Sequence, residues 1–106
     1  MSVVVADFVR VASLSELPPG KLKGVEIDGT PVCLAHADGT VYAFQDNCTH
    51  EDFPLHNGTL LGRRVECAWH GAQFDVETGR AVRLPAVKPL RRYEVKVEGD
   101  DIYVAL

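Results

Sequence analysis

Two short segments of the chain each combine one cysteine with one histidine. Cys48 and His50 are separated by one residue, and Cys67 and His70 by two, in a chain that has three cysteines and four histidines in all. Either spacing lets a single loop present two ligands to a metal, and two such loops facing each other would form a site with two sulfur and two nitrogen ligands. Sites of this composition suit Zn²⁺ and also iron–sulfur clusters.

The order of the ligands bears on the choice between these metals. Zinc sites commonly follow C-x₂₋₄-C with H-x₃₋₅-H, so that like ligands are paired. Here each loop supplies one cysteine and one histidine. This mixed order is not described by the common zinc spacing, but it leaves a structural zinc site open as an alternative. A second alternative is a pair of buried thiols beside unrelated surface histidines.

Length, composition and charge set the general class of the protein. The 106 residues suit one domain, 1–106, and 46% hydrophobic and 25% charged residues are typical of a globular protein. The formal net charge of −4 argues against a nucleic-acid partner. No apolar run approaches the ~20 residues of a membrane span, and the first residues do not form a signal peptide. We therefore expect a cytoplasmic protein without a membrane partner, in which structural disulfides are not expected.

Turn signals and alternating side chains predict an all-β fold. Asp28-Gly29, Asp38-Gly39 and Asn57-Gly58 are hairpin signals, and residues 92–98 alternate between apolar and polar side chains. The only helical signal is a capping box at 13–16, which Pro18 ends after about one turn. We predict a small antiparallel barrel or sandwich, with both cysteine–histidine loops in an inserted section of about 46–85. The predicted strands are 3–12, 22–27, 32–37, 40–45, 60–66, 73–76, 81–84, 92–98 and 102–106.

The two loops and their flanking text resemble a known family. Cys48-x-His50 and Cys67-x-x-His70, with "NCTHED", "VECAWHGAQFDVETGRAV", "LPAVKPL" and "YEVKVEGDDIYV", resemble the Rieske [2Fe–2S] ferredoxins of bacterial aromatic-ring dioxygenase systems. The resemblance implies three stacked antiparallel β-sheets, with a cluster-binding subdomain inserted into a base domain. It also implies one [2Fe–2S] cluster per chain. Cys48 and Cys67 would then bind one iron, and His50 and His70 would bind the other through Nδ1.

The same resemblance implies a function. We expect a monomeric one-electron carrier, not an enzyme, that accepts electrons from a flavin-dependent ferredoxin reductase and delivers them to a terminal oxygenase. The alternative is a small Rieske-like subunit of an NADH-dependent nitrite reductase. A catalytic oxygenase would need a 2-His-1-carboxylate iron site in a large second domain. The Rieske subunits of cytochrome complexes carry an extra cysteine in each loop, and these two cysteines form a disulfide. This chain has Phe53 or a neighbour and Trp69 at those positions, so it cannot form the disulfide and we do not expect it to belong to that class.

Further expectations concern residues outside the ligand set. We predict that Cys33 is a buried packing residue and that His36 and His56 face solvent. Asp46, Glu51 and Asp52 are expected to be solvated acids, with a docking patch as the alternative. Trp69 is expected to pack over the cluster loop, and Leu84-Pro85-Ala86 to shield the cluster. High-potential members of the family place a serine and a tyrosine where this chain has Ala72 and Phe74, which implies a low reduction potential.

Overall fold

The computed structural model describes residues 7–49, 53–68, 71–84 and 88–106. These residues form ten β-strands and two short 3₁₀ turns, Leu14–Glu16 and Leu55–Asn57, and no helix among them is long and apolar enough to cross a membrane. The strands are β1 Val9–Ser13, β2 Leu22–Ile27, β3 Thr30–Ala37, β4 Thr40–Gln45, β5 Thr59–Leu61, β6 Arg64–Glu66, β7 Gln73–Asp75, β8 Ala81–Arg83, β9 Arg92–Glu98 and β10 Asp101–Ala105.

All strand pairs in this part of the chain are antiparallel. One sheet has the order β1-β10-β9, and a second has the order β2-β3-β4. They are joined where β4 meets β9 through only two residue pairs, Ala43 with Tyr93 and Phe44 with Arg92. A separate sheet has the order β5-β6-β7-β8. The predicted all-β fold of antiparallel sheets is confirmed.

The β2-β3-β4 sheet lies between two hydrophobic cores, which explains the almost unbroken apolar sequence of β3. Val32 and Leu34 face one core, together with Ile102 and Val104 of β10. The alternate residues Cys33 and Ala35 face the other core. A strand that is buried on both faces needs apolar side chains at every position, and β3 meets that requirement from Val32 to Ala35. The second core also contains Phe44, Cys48, Leu55, Val65, Cys67, Ala72, Phe74, Val76 and Leu90.

The two Asp-Gly turns behave as predicted. Asp28 and Gly29 have φ values of 49° and 81°, and Asp38 and Gly39 have values of 51° and 76°. Positive φ at both central residues is the requirement of a type I′ hairpin turn. These turns fix the register of β2, β3 and β4, so that the bounds predicted for 22–27 and 40–45 agree with β2 and β4.

Two predictions around residues 57–66 are wrong. The expected strand 60–66 is divided into β5 and β6 by a turn at Gly62 and Arg63, where Gly62 has a φ of 63°. Asn57-Gly58 does not form a hairpin turn, because Gly58 instead ends the 3₁₀ turn and donates its N–H to the Leu55 carbonyl at 2.9 Å. Close contact with a neighbouring strand accounts for this glycine: a Cβ at Gly58 would lie 2.0 Å from the Glu66 carbonyl oxygen.

The start of the chain matches its prediction in part. Residues 3–6 of the expected strand 3–12 lie outside the described residues, and β1 begins at Val9. The capping box at 13–16 is confirmed, since the Glu16 carboxylate accepts the Ser13 backbone N–H at 2.8 Å. Hydrogen bonds from the backbone and side chain of Ser13 lower the pKa of Glu16.

The strands β1-β10-β9 and β2-β3-β4 form the base of the fold. The segment between β4 and β9 leaves and re-enters this base at one place. Gln45 N–H donates to the Arg91 carbonyl at 2.9 Å, and Arg91 N–H donates to the Gln45 side-chain oxygen Oε1 at 2.7 Å. The β5-β6-β7-β8 sheet lies within this segment. The expected section 46–85, which carries both cysteine–histidine loops, therefore contains a sheet of its own.

Candidate metal centre

The first cysteine–histidine loop leaves the end of β4 and turns back on itself. Cys48 is 3% exposed, and its backbone N–H donates to the carbonyl of Phe53 at 2.9 Å. This hydrogen bond spans the position of His50, which lies outside the described residues together with Glu51 and Asp52. This backbone hydrogen bond fixes the position of Cys48 within the loop.

The second loop connects β6 to β7 and is closed in the same way. Cys67 is 1% exposed, and its backbone N–H donates to the carbonyl of Ala72 at 2.7 Å. In both loops the cysteine N–H therefore reaches the carbonyl five residues later. His70 and Trp69 lie between these two bonded residues but outside the described part of the chain, so their predicted roles stay predictions.

The two cysteines belong to one buried core and are not joined by a disulfide. A buried thiolate needs a compensating partner, and a metal supplies one. Thiolate sulfur is also the ligand that iron–sulfur clusters use. The described residues thus fit the sulfur half of a [2Fe–2S] site. No third cysteine, histidine or carboxylate among residues 7–49, 53–68, 71–84 and 88–106 completes a metal-binding group with them.

Asp46, two residues before Cys48, is not the solvated acid that we expected. It is buried, with 8% of its surface exposed. Its Oδ1 accepts the backbone N–H of His56 at 2.8 Å, and its Oδ2 is in short contact with Nδ1 of the His56 ring. His56 was predicted to face solvent; its side chain is 39% exposed, but the ring is held by this carboxylate.

A second carboxylate lies beside the other loop. Glu66 directly precedes Cys67 and pairs with Gln73 across β6 and β7. Glu66 Oε2 accepts a hydrogen bond from Gln73 Nε2 at 2.9 Å, and the Arg83 guanidinium lies 3.8 Å from the same oxygen. Gln73 is buried with 7% of its surface exposed. The residues that flank the second loop are therefore joined through their side chains as well as through the strand pair.

The segment after β8 is attached to the first ligand loop and to the turn between β7 and β8. The Thr49 hydroxyl donates to the Lys88 carbonyl at 2.7 Å, and the Leu90 N–H donates to the Gly79 carbonyl, also at 2.7 Å. Leu84 is 74% exposed at the start of this segment. Pro85 and Ala86 lie outside the described residues, so their shielding of the cluster stays a prediction.

Two other residues named from the sequence lie away from the ligand loops. Cys33 is fully buried on β3, as predicted, and burial together with the charge of Asp46 raises the pKa of its thiol well above the usual value. His36 is only partly exposed, and its Nδ1 lies 2.8 Å from the Leu17 carbonyl in the base of the fold. The prediction that His36 faces solvent is wrong, because the ring is held by this hydrogen bond.

Comparison with known proteins decides between the alternatives left by the ligand types. The Rieske [2Fe–2S] domain family matches residues 7–94. The chain belongs to this family. Its cofactor is accordingly a Rieske [2Fe–2S] cluster.

Similar proteins include ferredoxin components of dioxygenase systems. The ferredoxin component of biphenyl 2,3-dioxygenase from Rhodococcus jostii RHA1 is 41% identical over 93% of this Rieske chain and 92% of its own length. The ferredoxin of carbazole 1,9a-dioxygenase from Nocardioides aromaticivorans IC177 has a TM-score of 0.88 at 38% identity, over 92% of this chain and 96% of that one. A complex of reduced oxygenase and oxidised ferredoxin in carbazole 1,9a-dioxygenase matches with a TM-score of 0.87 at 35% identity, over 92% of each chain. This Rieske chain is thus a ferredoxin, not an enzyme.

Sequence reasoning missed the two side-chain contacts that flank the ligand loops. An acid just before each cysteine is visible at Asp46 and Glu66. Nothing in the spacing, however, points to His56 or Gln73 as their partners, because each partner depends on where the chain returns after its loop.

Proposed function

We propose that this protein carries single electrons from a flavin-dependent ferredoxin reductase to the terminal oxygenase of an aromatic-ring dioxygenase system. The observation that carries the proposal is the match to dioxygenase ferredoxins over more than nine-tenths of both chains. A related ferredoxin is seen in a complex with its oxygenase, which supports the oxygenase as the electron acceptor. The reductase as donor follows from the family resemblance.

We further propose that Cys48 and Cys67 bind one iron and that His50 and His70 bind the other, within a cluster-binding subdomain of about 46–85. The two buried cysteines and the matching backbone hydrogen bonds of their loops support the sulfur half of this assignment. The cluster supplies a site for one electron, at a higher potential than an all-cysteine cluster because two neutral imidazoles replace two thiolates. The protein's own contribution is to hold the ligands in two closed loops and to keep water from the sulfur atoms.

Cofactor content tests the ligand assignment. We expect two irons and two acid-labile sulfides per chain, and a Rieske-type electron paramagnetic resonance signal after reduction with dithionite. Cys67→Ser and His70→Ala should each lose the normal signal. Stoichiometric zinc without iron in protein expressed anaerobically would contradict the assignment.

A reconstituted assay tests the electron-carrier role. The reductase and oxygenase components of a biphenyl dioxygenase system should oxidise biphenyl at the expense of NADH only when this protein is added. The Cys67→Ser variant provides the matched control, because it should fold without supporting turnover. If the loaded protein fails with several dioxygenase systems but supports an NADH-dependent nitrite reductase, the alternative function is correct.

A further inference from the structure

The contact between Asp46 and His56 uses both oxygens of one carboxylate. Oδ1 accepts the His56 backbone N–H at 2.8 Å, and Oδ2 is bonded to the ring at Nδ1. Both oxygens of the Asp46 side chain therefore have a partner on His56, one on its backbone and one on its ring. The Asp46 side chain is 5% exposed, and a buried carboxylate without such partners would be strongly destabilising.

The position of the His56 ring is accommodated by a glycine on another strand. A Cβ placed on Gly24 of β2 would lie 2.5 Å from Nδ1 of His56 and 2.8 Å from its Cγ. Gly24 has no positive φ that would itself require glycine. The missing side chain therefore provides space for the imidazole, which is an observation independent of the carboxylate contact.

Asp46 and His56 stand at the two ends of the segment that contains the first ligand loop. Within it, the hydrogen bond from Cys48 to Phe53 closes the loop, and Leu55 is fully buried just before His56. Asp46 is also attached to the β2-β3-β4 sheet, since its N–H donates to the Pro31 carbonyl at 3.3 Å. A link across the base of a loop restricts the arrangements open to every residue inside it.

We infer that His56 is a positioning residue for the cofactor site: through Asp46 it fixes the first ligand loop so that Cys48 is held ready to bind iron. The inference rests on the proposed assignment of Cys48 as an iron ligand. It assigns His56, a histidine outside the Rieske motif, a role in retaining the cluster without contact to it.

The test compares variants of His56 in the iron-loaded protein. We expect His56→Ala to lose its cluster to a chelator, followed by visible absorbance, about tenfold faster than the wild type, as the loss of a hydrogen bond to a charged group allows. The reduced variant should also show a broadened paramagnetic resonance signal. His56→Asn can still donate a side-chain N–H to Asp46 and should restore both properties to near wild-type values.

Two further variants separate this role from general destabilisation. His36→Ala removes a comparable ring hydrogen bond, to the Leu17 carbonyl, and should lower the melting temperature while releasing the cluster at the wild-type rate. Gly24→Ala should displace the His56 ring and release the cluster faster, and it remains informative if His56→Ala does not fold.

The inference is overturned if His56→Ala and Gly24→Ala both retain the cluster as the wild type does, or if His36→Ala releases it equally fast. Release from His56→Asn at the His56→Ala rate would overturn it as well. A wild-type protein without iron would instead refute the proposed function, and with it this role.

Discussion

Cys33 and Cys67 are both buried in the same core, but their backbone surroundings differ. Cys67 lies in a loop closed by its own backbone N–H, whereas Cys33 lies in the middle of β3 with its Sγ 3.8 Å from the Leu34 carbonyl. Burial, and after it the charge of Asp46, raises the pKa of the Cys33 thiol well above the usual range. Cys33 is therefore a neutral packing group, while Cys67 is the residue that we propose as an iron ligand.

We accordingly expect Cys33→Ser to leave the cluster spectrum unchanged and to lower the free energy of unfolding by about 1–2 kcal/mol, because a hydroxyl would be buried in an apolar site. Cys67→Ser should abolish the normal cluster. Absorption spectra and chemical denaturation of both variants check the prediction. Equal loss of cluster in the two variants would show that Cys33 is also a ligand.

Ala72 and Phe74 follow the second loop and are both fully buried. Neither side chain can donate a hydrogen bond, whereas the hydroxyl groups of high-potential Rieske proteins stabilise the extra negative charge of the reduced state. We expect a midpoint potential toward the −150 mV end of the Rieske range.

The double variant Ala72→Ser with Phe74→Tyr should raise that potential by at least several tens of millivolts. For one electron, 59 mV corresponds to about 1.4 kcal/mol, and a hydrogen bond to a charged group is worth about 1.5–3 kcal/mol. Protein-film voltammetry measures the change, with Ala12→Ser, a buried alanine in the other core, as the control. A wild-type midpoint above about +100 mV would contradict the argument.

Among the strands, local signals predicted the β2-β3-β4 sheet better than the β5-β6-β7-β8 sheet. The turns after β2 and β3 are predicted by Asp-Gly pairs, because both residues tolerate positive φ. The turn at Gly62 and Arg63 has no such pair, so β5 and β6 were predicted as one strand. Asn57-Gly58 carries a hairpin signal, but the contact of Gly58 with the Glu66 carbonyl is a tertiary effect that no local pattern contains.

The same reasoning explains what could be predicted of the site. The spacing of its cysteines and histidines follows from the chemistry of metal binding, and it is therefore visible in the sequence. The burial of Asp46 depends on the path of the chain up to His56, and it is therefore visible only in the structure.

Gly58 offers a test of how the 3₁₀ turn supports the second loop. Gly58→Ala would place a methyl group 2.0 Å from the carbonyl of Glu66, the residue before Cys67, so the backbone must move. We expect the free energy of unfolding to fall by about 3 kcal/mol, the upper end of overpacking effects, and the cluster to be retained less well. Thermal unfolding and chelator challenge measure the two effects.

Gly99→Ala is the control for Gly58→Ala. Gly99 has a φ of 60° but open space around it. Its substitution should therefore lower the free energy of unfolding by about 1–2 kcal/mol, from backbone strain alone. Cluster retention should be unchanged in this variant. Similar melting temperatures and release rates for the two variants would argue against a contact that matters for the second loop.

We expect a partner to contact the exposed end of the β5-β6-β7-β8 sheet. Arg83 pairs with Gln73, which directly follows the second loop, so Leu84 lies at the same end of the sheet as that loop. Its side chain is 74% exposed. An apolar group in this position is suited to contact with the proposed oxygenase.

We expect Leu84→Glu to reduce kcat/KM for this protein in the reconstituted dioxygenase assay by about fivefold or more, the effect of losing a contributing interface residue. The midpoint potential should not change, because no cluster ligand is altered. Leu106→Glu, at an exposed leucine after β10, is the control and should behave as the wild type. A loss of activity in both variants, or in neither, would contradict a specific role for Leu84.

The hydrogen bonds between Gln45 and Arg91 have a consequence for engineering by transplantation. Because the intervening segment departs and returns at adjacent residues, a replacement segment leaves the distance between its two attachment points unchanged. A homologous segment could be grafted between these two anchor points, provided that it fits against Cys33, Ala35 and Phe44 on the face that it covers. The chimaera would acquire the donor's reduction potential and keep the recipient's base, so electron affinity and scaffold could be varied independently.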